Sequence, residues 1–341
     1  MRLKAYIRLF PSKLKRGLRH LLYKRWVRTT IYKLQHFALP GFRGAPLYDV
    51  LRYFLVGLFD GSISQCAKGL AYSFLSALPP LMIFFFTLVA YFPVDGVQDE
   101  LLVELSEIIP EKVMGPMSDT INDIMGHRHS TLLSIGFILS VVFAANGMMG
   151  VITSINFVNR DNEKRPLWQR YLVSVALVFV LYVMIILTVS LMMGNKWLLH
   201  LIFSRGWLAE TSFNTLLFNI VRWLLITFSI LVAISFIYYW APVKRRRVGF
   251  FSPGALLSMG MFLVLNWGLS VYFNNFNNYN LVYGSIGTLL ILMLWMYFNC
   301  AVLLVGYKLN NSVYDGLITA ENRRSRRELR QKLQKMVNGD E

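Results

Sequence analysis

Six long apolar segments, separated by polar and charged stretches, dominate the hydropathy pattern of this 341-residue chain. A helix needs about 20 apolar residues to cross roughly 30 Å of hydrocarbon, whereas a barrel strand needs only ~9–11. Each segment satisfies the longer requirement. The pattern predicts an all-α, polytopic membrane bundle with six transmembrane helices at residues 69–92, 131–155, 171–194, 214–241, 254–273 and 284–307.

Composition agrees with a lipid rather than an aqueous surrounding. Charged residues make up 16% of the chain and hydrophobic residues 55%, whereas about a quarter of the residues of a soluble domain are charged. From Val248 to Tyr307 there is no Asp, Glu, Lys, Arg or His. A run of that length and character predicts two spans joined by a turn.

The distribution of basic residues predicts the orientation of the bundle. Of the 35 Lys and Arg residues, 30 lie before the first span, in the second and fourth connections, or after the last span. The positive-inside rule places these segments in the cytoplasm, with both termini there. We therefore expect a multi-pass protein of a bacterial cytoplasmic (inner) membrane, and we expect the basic N-terminal segment not to be a cleavable signal peptide.

The segments that flank the spans divide the chain into three parts. Residues 1–46 form a basic, amphipathic cytoplasmic segment, residues 47–312 the membrane domain, and residues 313–341 a basic cytoplasmic tail. A helix is expected over 47–68, before the first span. The acidic outer loop 93–130 also has helical periodicity, so amphipathic helices are expected at the interfaces on both sides.

Arguments for catalysis are weak. Metalloprotease, phosphate-loop and nucleophile-elbow motifs are absent from the sequence, and Ser285 has no His within the spans to act as its base. The protein is not expected to be an enzyme or to carry a cofactor. One metal alternative remains in the outer loop, where carboxylates and imidazoles recur at helical spacing, against the alternative of an ordinary surface helix: Asp119, Asp123, His127 and His129.

Arg222 is the single ionisable residue within the six predicted spans. Such residues usually line a cavity or find a partner. A position near the end of a span also permits the side chain to reach the interface. Contact with an anion in the interior and anchoring at the interface are both left open.

Uncharged polar and small residues within or beside the spans have two interpretations. They either hold helices together or line a polar path for a headgroup. The candidates for the path are Ser73, Ser76, Asn146, Asn266 and Asn299, together with Asn275 and Asn280 of the outer turn. Pro79 and Pro80 predict a break or kink in the first span, and close packing is predicted at Gly147, Gly150, Gly284 and Gly287.

Several motifs together resemble the YihY/BrkB family of bacterial inner-membrane proteins. They are Ala241-Pro242-Val243 followed by four basic residues, Ser252-Pro253-Gly254-Ala255, Tyr283-Gly284-Ser285-Ile286-Gly287, and Gly306-Tyr307-Lys308-Leu309-Asn310. The resemblance implies six spans. It also implies conflicting roles: ribonuclease BN, a virulence factor, and export of lipids. Residues for RNA cleavage are not found.

The leading hypothesis is a transporter or flippase-like factor for a lipid or another amphipathic anion in envelope biogenesis. The alternative is a non-transporting scaffold that recruits envelope protein partners through its acidic outer loop and basic tails. The expected partners are membrane lipids, since the tails combine positive charge with amphipathic periodicity. Nucleic acid is not expected, because no aromatic platform accompanies the basic segments.

Tags fused to the two termini test the predicted orientation. Because 30 basic residues lie on the side that carries both termini, neither tag should react with an impermeant reagent until the cells are opened. Labelling of either tag in intact cells would contradict the orientation.

Overall fold

The computed structural model describes residues 37–39, 41–89, 130–159, 161, 163–193, 212–244, 249–275 and 285–338. Within these ranges the regular structure is entirely helical. We number the helices α1 (Leu47–Leu58), α2 (Ser62–Val89), α3 (Ser130–Val158), α4 (Leu167–Met193), α5 (Ser212–Trp240), α6 (Pro253–Asn275) and α7 (Ser285–Asn338).

Six of these helices, α2 to α7, are long and apolar enough to cross a membrane. The predicted all-α bundle with six transmembrane helices is confirmed, and each predicted span overlaps one of them. The orientation of the termini stays a prediction. Most of the N-terminal segment 1–46 and of the outer loop 93–130 lies outside the described residues, so their interfacial helices also stay predictions.

The expected single helix over residues 47–68 is wrong. Helix α1 ends at Leu58, and α2 begins at Ser62, seven residues before the predicted start of the first span at Gly69. Gly61 between them has φ +76°, a left-handed conformation that glycine adopts without steric cost. Asp60 and Gly61 therefore form a turn between α1 and α2, so that the two helices need not share one axis.

Of the predicted break or kink at Pro79 and Pro80, the break is wrong, because both prolines lie inside the continuous helix α2. The kink stays a prediction. Each proline lacks the N–H that would bond four residues back. Two missing bonds do not end a helix whose neighbouring turns are intact, and membrane helices tolerate proline where adjacent helices support them. Helix α3 provides such support, since Gly136 lies against the backbone of Phe84.

The six spanning helices form a closed ring. Each helix from α2 to α6 contacts the next one along the chain, and α7 contacts α2. We call the end of the ring that carries the short connections 159–166 and 241–252 the basic end, because Arg165 and Lys244 lie there. The opposite end is called the distal end.

The hydrophobic core lies towards the basic end of the ring. Buried side chains from all six helices meet there, among them Leu70, Ile152, Ile155, Leu177, Ile234, Ile237, Ala255, Leu303 and Leu304. Large apolar side chains nearer the distal end are exposed instead, as Ile138, Trp223, Leu224, Val264, Trp267 and Leu290 illustrate. Buried side chains are thus concentrated at the basic end, whereas exposed apolar side chains occur along the whole ring, including Leu167 and Trp168 at the basic end.

Helix α7 continues for 31 residues beyond the predicted end of the last span at Tyr307, which corresponds to about 46 Å of helix. The predicted boundary between membrane domain and tail, at residues 312–313, falls inside this helix. Val313 belongs to a second small core with Phe42, Ala45 and Val50. Helix α1 therefore packs on the extension of α7, outside the ring.

A buried ion pair fixes α1 to that extension. Both carboxylate oxygens of Asp49, which is fully buried, accept hydrogen bonds from the guanidinium of Arg323 at 2.8 and 2.9 Å. The hydroxyls of Tyr53 and Thr319 lie 3.0 Å apart in the same contact. Bidentate pairing of this kind satisfies both charges and defines the orientation of the two helices.

Helices α6 and α7 approach most closely where two glycines meet. A Cβ atom at Gly254 would overlap the carbonyl oxygen of Gly306, and one at Gly306 would overlap the hydroxyl of Ser258. Small residues at such crossings let helix backbones approach within a membrane. The two glycines therefore permit the contact on which the polar groups described below depend.

Replacement of Gly306 by Ala tests this contact. The added methyl group has no space, so overpacking should destabilise the bundle by about 1–3 kcal/mol. Gly260→Ala on α6 is the matched control, because nothing lies within 4 Å of a Cβ there. Thermal unfolding in detergent, followed with a thiol-reactive dye that detects exposure of buried Cys300, should give a lower Tm for Gly306→Ala alone. Equal Tm values for the two variants would contradict the packing argument.

Candidate functional site

A buried polar cluster joins α5, α6 and α7 near the basic end. The hydroxyl of Tyr238 donates to the carbonyl oxygen of Leu303, and its oxygen lies 2.6 Å from that of Ser258. Ser258 is also placed 3.2 Å from the carbonyl oxygen of Val302. A buried hydroxyl is costly unless it is hydrogen-bonded, and here each hydroxyl has partners on a neighbouring helix. The cluster therefore holds the three helices in one arrangement.

The start of α6 is bound to α7 through a single amide. Asn310 accepts a hydrogen bond from the backbone N–H of Gly254 at 2.8 Å and donates one to the hydroxyl of Ser252 at 2.7 Å. Ser252 in turn accepts from the N–H of Ala255 at 3.2 Å. Ser252 is thus an N-cap, and Pro253 occupies the first helical position that proline favours.

A small cavity of about 40 Å³ lies beside this amide, between the end of α5, the connection 241–252 and α7. Tyr239, Phe250 and Tyr307 contribute to its wall, and the buried Oδ1 atom of Asn311, another wall residue, has no hydrogen-bond partner among the described residues. One water molecule needs about 10–15 Å³ of such space. The cavity is therefore large enough to hydrate Asn311 and is far too small for a lipid.

Two connections at the basic end are linked by a polar network centred on Glu163. Its carboxylate accepts hydrogen bonds from Arg165 at 3.0 Å and from the Asn156 amide at 2.8 Å. Arg165 also donates to the carbonyl oxygen of Ala241 at 2.8 Å, and Asn156 accepts from the N–H of Val243 at 3.1 Å. The connection between α3 and α4 is thereby attached to the end of α5.

Electrostatics favour the ionised form of Glu163. Burial acts to raise the pKa of this carboxyl, but the hydrogen bonds and charge of Arg165, aided by the charge of Arg170, outweigh burial and lower the pKa. A second pair, Lys244 with Asp161 at 3.0 Å, joins the same two connections. Charged groups therefore close the basic end of the ring in the part of the chain that the structure describes.

Two of the predicted path amides, Asn266 on α6 and Asn299 on α7, are adjacent. The Nδ2 of Asn266 lies 3.2 Å from the Oδ1 of Asn299, and the indole N–H of Trp295 donates to Asn266 at 2.7 Å. The remaining donors bond to carbonyl oxygens of their own helices. Interhelical amide bonds of this type hold membrane helices together.

Of the polar and small residues predicted on α2 and α3, Ser73, Gly147 and Gly150 lie at the contact between these helices. Ser73 and Ser76 donate to carbonyl oxygens four residues back, at 3.1 and 2.9 Å. Gly147 faces the ring of Phe74, and a Cβ at Gly150 would meet Leu70 at 3.1 Å. The hydroxyls of the two serines are thus hydrogen-bonded within their own helix. The glycines leave space for side chains of α2.

Arg222 lies on α5, ten residues after the start of that helix. Its side chain is partly exposed, and its Nε atom is buried without a hydrogen-bond partner. The described residues supply no acidic group for it. A desolvated guanidinium donor without an acceptor is energetically costly, so Arg222 is the candidate site for an external anion.

The remaining predicted residues divide into two groups. Asn146 is exposed in the middle of α3. The others lie outside the described residues or have side chains that are not described: Asn275, Asn280, Gly284 and Gly287, and the metal candidates Asp119, Asp123, His127 and His129. Among the described residues, no group of three or more His, Cys, Asp or Glu is close enough to hold a metal ion.

Sequence reasoning did not identify Glu163, Asn156, Tyr238 and Asn310 as site residues. Glu163 had a detectable signal, because it is an acid within a basic connection and stands two residues before Arg165. Asn310 belongs to a motif that was recognised without a role. Tyr238 gave no such signal, since its partners are 20 and 65 residues away in sequence, and the contact of Asn156 with Val243 spans 87 residues.

A closed ring of six apolar helices with a charged basic end defines an integral, multi-pass α-helical membrane protein. The chain belongs to the virulence factor BrkB family, whose model matches residues 55–331. The resemblance seen in the sequence motifs is thereby confirmed.

Curated relatives extend the same conclusion. YfkH of Bacillus subtilis, which is named a ribonuclease-like protein, is 27% identical to this chain over 241 residues. The match covers 71% of this chain and 86% of YfkH. UPF0761 membrane proteins of Xanthomonas oryzae and Xanthomonas campestris are each 26% identical over 268 residues, which is 74% of this chain. The chain spans 58% of the length of these Xanthomonas relatives. No solved structure matches it.

Replacement of Glu163 by Gln tests the network at the basic end. The carboxylate is stabilised in the fold, so its loss should reduce stability at pH 7 by about 1.5–3 kcal/mol. The pKa of Glu163 is lower in the folded protein than its ordinary value of 4.5. The ionised carboxylate therefore adds its full contribution to folding stability above pH 4.5, and this contribution is lost as the pH falls through the lowered pKa. The Tm difference between wild type and variant should therefore shrink in acid.

Glu328→Gln, at an exposed position on α7, is the matched control and should leave Tm unchanged at both pH values. A wild-type advantage over Glu163→Gln that is equally large at pH 7 and at pH 3.5 would contradict the role of the ionised carboxylate.

Proposed function

We propose that the protein is a transporter or flippase-like factor for an anionic lipid, or an amphipathic anion of similar chemistry, in the bacterial cytoplasmic membrane. The observation that carries the proposal is Arg222, a cation on an apolar helix with no anionic partner among the described residues. The role proposed is non-enzymatic, since no catalytic motif occurs in the sequence.

An anionic headgroup matches the chemistry of Arg222. A charged side chain at the centre of a bilayer costs at least about 2.5–3.5 kcal/mol, so arginines in spans are retained where they meet a partner or a polar route. A guanidinium binds phosphate through two parallel hydrogen bonds, and its charge is never lost at physiological pH. A lipid phosphate near the buried Nε would supply the acceptor that the described residues lack.

An exposed apolar side of α5 gives a lipid access to the stretch of helix that carries Arg222. Five large, apolar residues around Arg222 are exposed: Ile220, Val221, Trp223, Leu224 and Leu225. At about 100° per residue, these five lie within an arc of about 200° on one side of the helix, and the partly exposed Arg222 lies just outside that arc, beside buried Ile226. Acyl chains can therefore lie along the exposed side of α5 while the headgroup contacts Arg222 at its edge.

The energy source follows from what the sequence contains. It has no phosphate-loop motif, and no acidic residue lies within the six predicted spans to act in a proton relay. We therefore propose passive exchange of lipid between leaflets, or movement driven by a partner protein. The ionic connections at the basic end would have to separate for a headgroup to leave on that side.

A second candidate function, a membrane scaffold, is favoured by the long extension of α7. Beyond the contact with α1 the helix presents exposed charged residues, including Arg324, Arg326 and Glu328, together with Leu329 at 61% exposure. An amphipathic, mainly basic helix held away from the ring is suited to binding an acidic protein surface. A scaffold of this kind needs no lipid exchange.

Reconstitution into vesicles tests the transport proposal. With phosphatidylethanolamine–phosphatidylglycerol vesicles that contain fluorescent phosphatidylglycerol, wild-type protein should exchange the label between leaflets faster than empty vesicles do. Arg222→Ala should slow this exchange by about 10- to 100-fold, the loss expected for a charged hydrogen bond. Arg222→Lys should be intermediate, because it retains the charge without the bidentate geometry.

Leu224→Ala, two residues away and exposed on the same helix, is the control and should preserve exchange. Wild-type exchange no faster than in empty vesicles would refute transport and leave the scaffold as the candidate. Exchange by wild type that Arg222→Ala leaves unchanged would refute the assigned role of the arginine.

A further inference from the structure

Asn146 presents an exposed amide at the middle of a membrane span. It is the central residue of the span Ser134–Val158, and its side chain is exposed. In contrast to Asn266 and Asn299, which bond to each other and to Trp295, Asn146 has no hydrogen-bond partner among the described residues. Its requirement for a partner is therefore not met within the bundle.

The amide faces away from the core of the ring. The buried side of α3 consists of Met148, Val151, Ile152 and Ile155, which pack in the main core. At about 100° per residue, Asn146 lies on the opposite side of the helix. The residues that share this side are apolar and exposed, and they form what we call the α3 outer stripe: Ile135, Ile138, Leu139, Val142 and Phe143.

Lipid does not satisfy an amide at that depth. The centre of a bilayer lies about 15 Å from either headgroup region, and the short side chain of Asn cannot reach it as Lys or Arg can. Polar groups left unpaired in hydrocarbon are strongly unfavourable. A partner at the same depth, presented by another protein surface, removes the difficulty.

We propose that the α3 outer stripe is the interface of a homodimer in which the Asn146 amides of two copies hydrogen-bond to each other. A carboxamide carries both donors and an acceptor, so it is complementary to itself. A twofold axis passing near Asn146 brings the same group of each copy together, as isologous interfaces do. Interhelical amide pairs of this type associate membrane helices, and the flanking apolar residues keep the pair dry.

The inference is independent of the proposed transport function, because it rests on α3 rather than on Arg222. Model amide pairs in membranes contribute ~0.6–2 kcal/mol. That contribution corresponds to a change in the dimer association constant of about 3- to 30-fold when the amide is removed.

Cysteine cross-linking between two differently tagged, co-expressed copies tests the interface. In a background with Cys66→Ser and Cys300→Ala, Val142→Cys on the stripe should form an oxidised dimer that contains both tags. Ile186→Cys, on the exposed side of α4, should not. Adding Asn146→Leu to Val142→Cys should reduce the cross-linked fraction, and Asn146→Gln should restore part of it because the amide is retained.

A separate measurement excludes misfolding as the cause of reduced cross-linking in Asn146→Leu. At a protein concentration at which both proteins are monomeric in detergent, Asn146→Leu should unfold at the wild-type Tm or higher, since an exposed amide is replaced by an apolar side chain. Cross-linking that Asn146→Leu does not change, or that is equal at residues 142 and 186, would overturn the proposal. So would a Val142→Cys product that pairs one tagged copy with a different protein.

Discussion

The cost of leaving polar groups without partners in hydrocarbon is the constraint on which this structure depends. It confines regular structure in the spans to helices and moves nearly all charge into the connections. Where charges do occur close to the ring, they are combined into pairs: Glu163 with Arg165, Asp161 with Lys244, and Asp49 with Arg323. Arg222 and Asn146 are among the described side chains that depart from this rule, and they carry the two proposals.

Packing is distributed unequally along the ring, and the inequality has a functional consequence. Near the basic end, the Tyr238–Ser258 cluster, the Asn310 amide and the Gly254–Gly306 contact hold α5, α6 and α7 in one arrangement. Beside Arg222, one side of α5 is apolar and exposed. A rigid, charged end with an exposed apolar helix face further along is an arrangement in which lipid can reach a cation while the bundle stays assembled.

Much of the fold was predictable because hydropathy and charge act through simple rules. The six spans and the family resemblance followed from local patterns of side chains, and both are confirmed. Local rules failed at two points. Helix α1 ends at Leu58, before the turn at Gly61, and does not continue to residue 68. Pro79 and Pro80 do not interrupt α2, because its neighbouring turns and its contact with α3 sustain it.

The sequence by itself determined that the chain spans a membrane as six helices, since burial in lipid depends only on the apolar length of each segment. It also marked Arg222 and the span amides as residues that require an explanation. Only the tertiary structure decided which of them are satisfied. Asn266 and Asn299 meet across two helices, whereas Asn146 points outward and Arg222 finds no anion in the described residues. A hydrogen bond requires two groups within about 3 Å, and sequence order does not specify which groups the folded ring brings together.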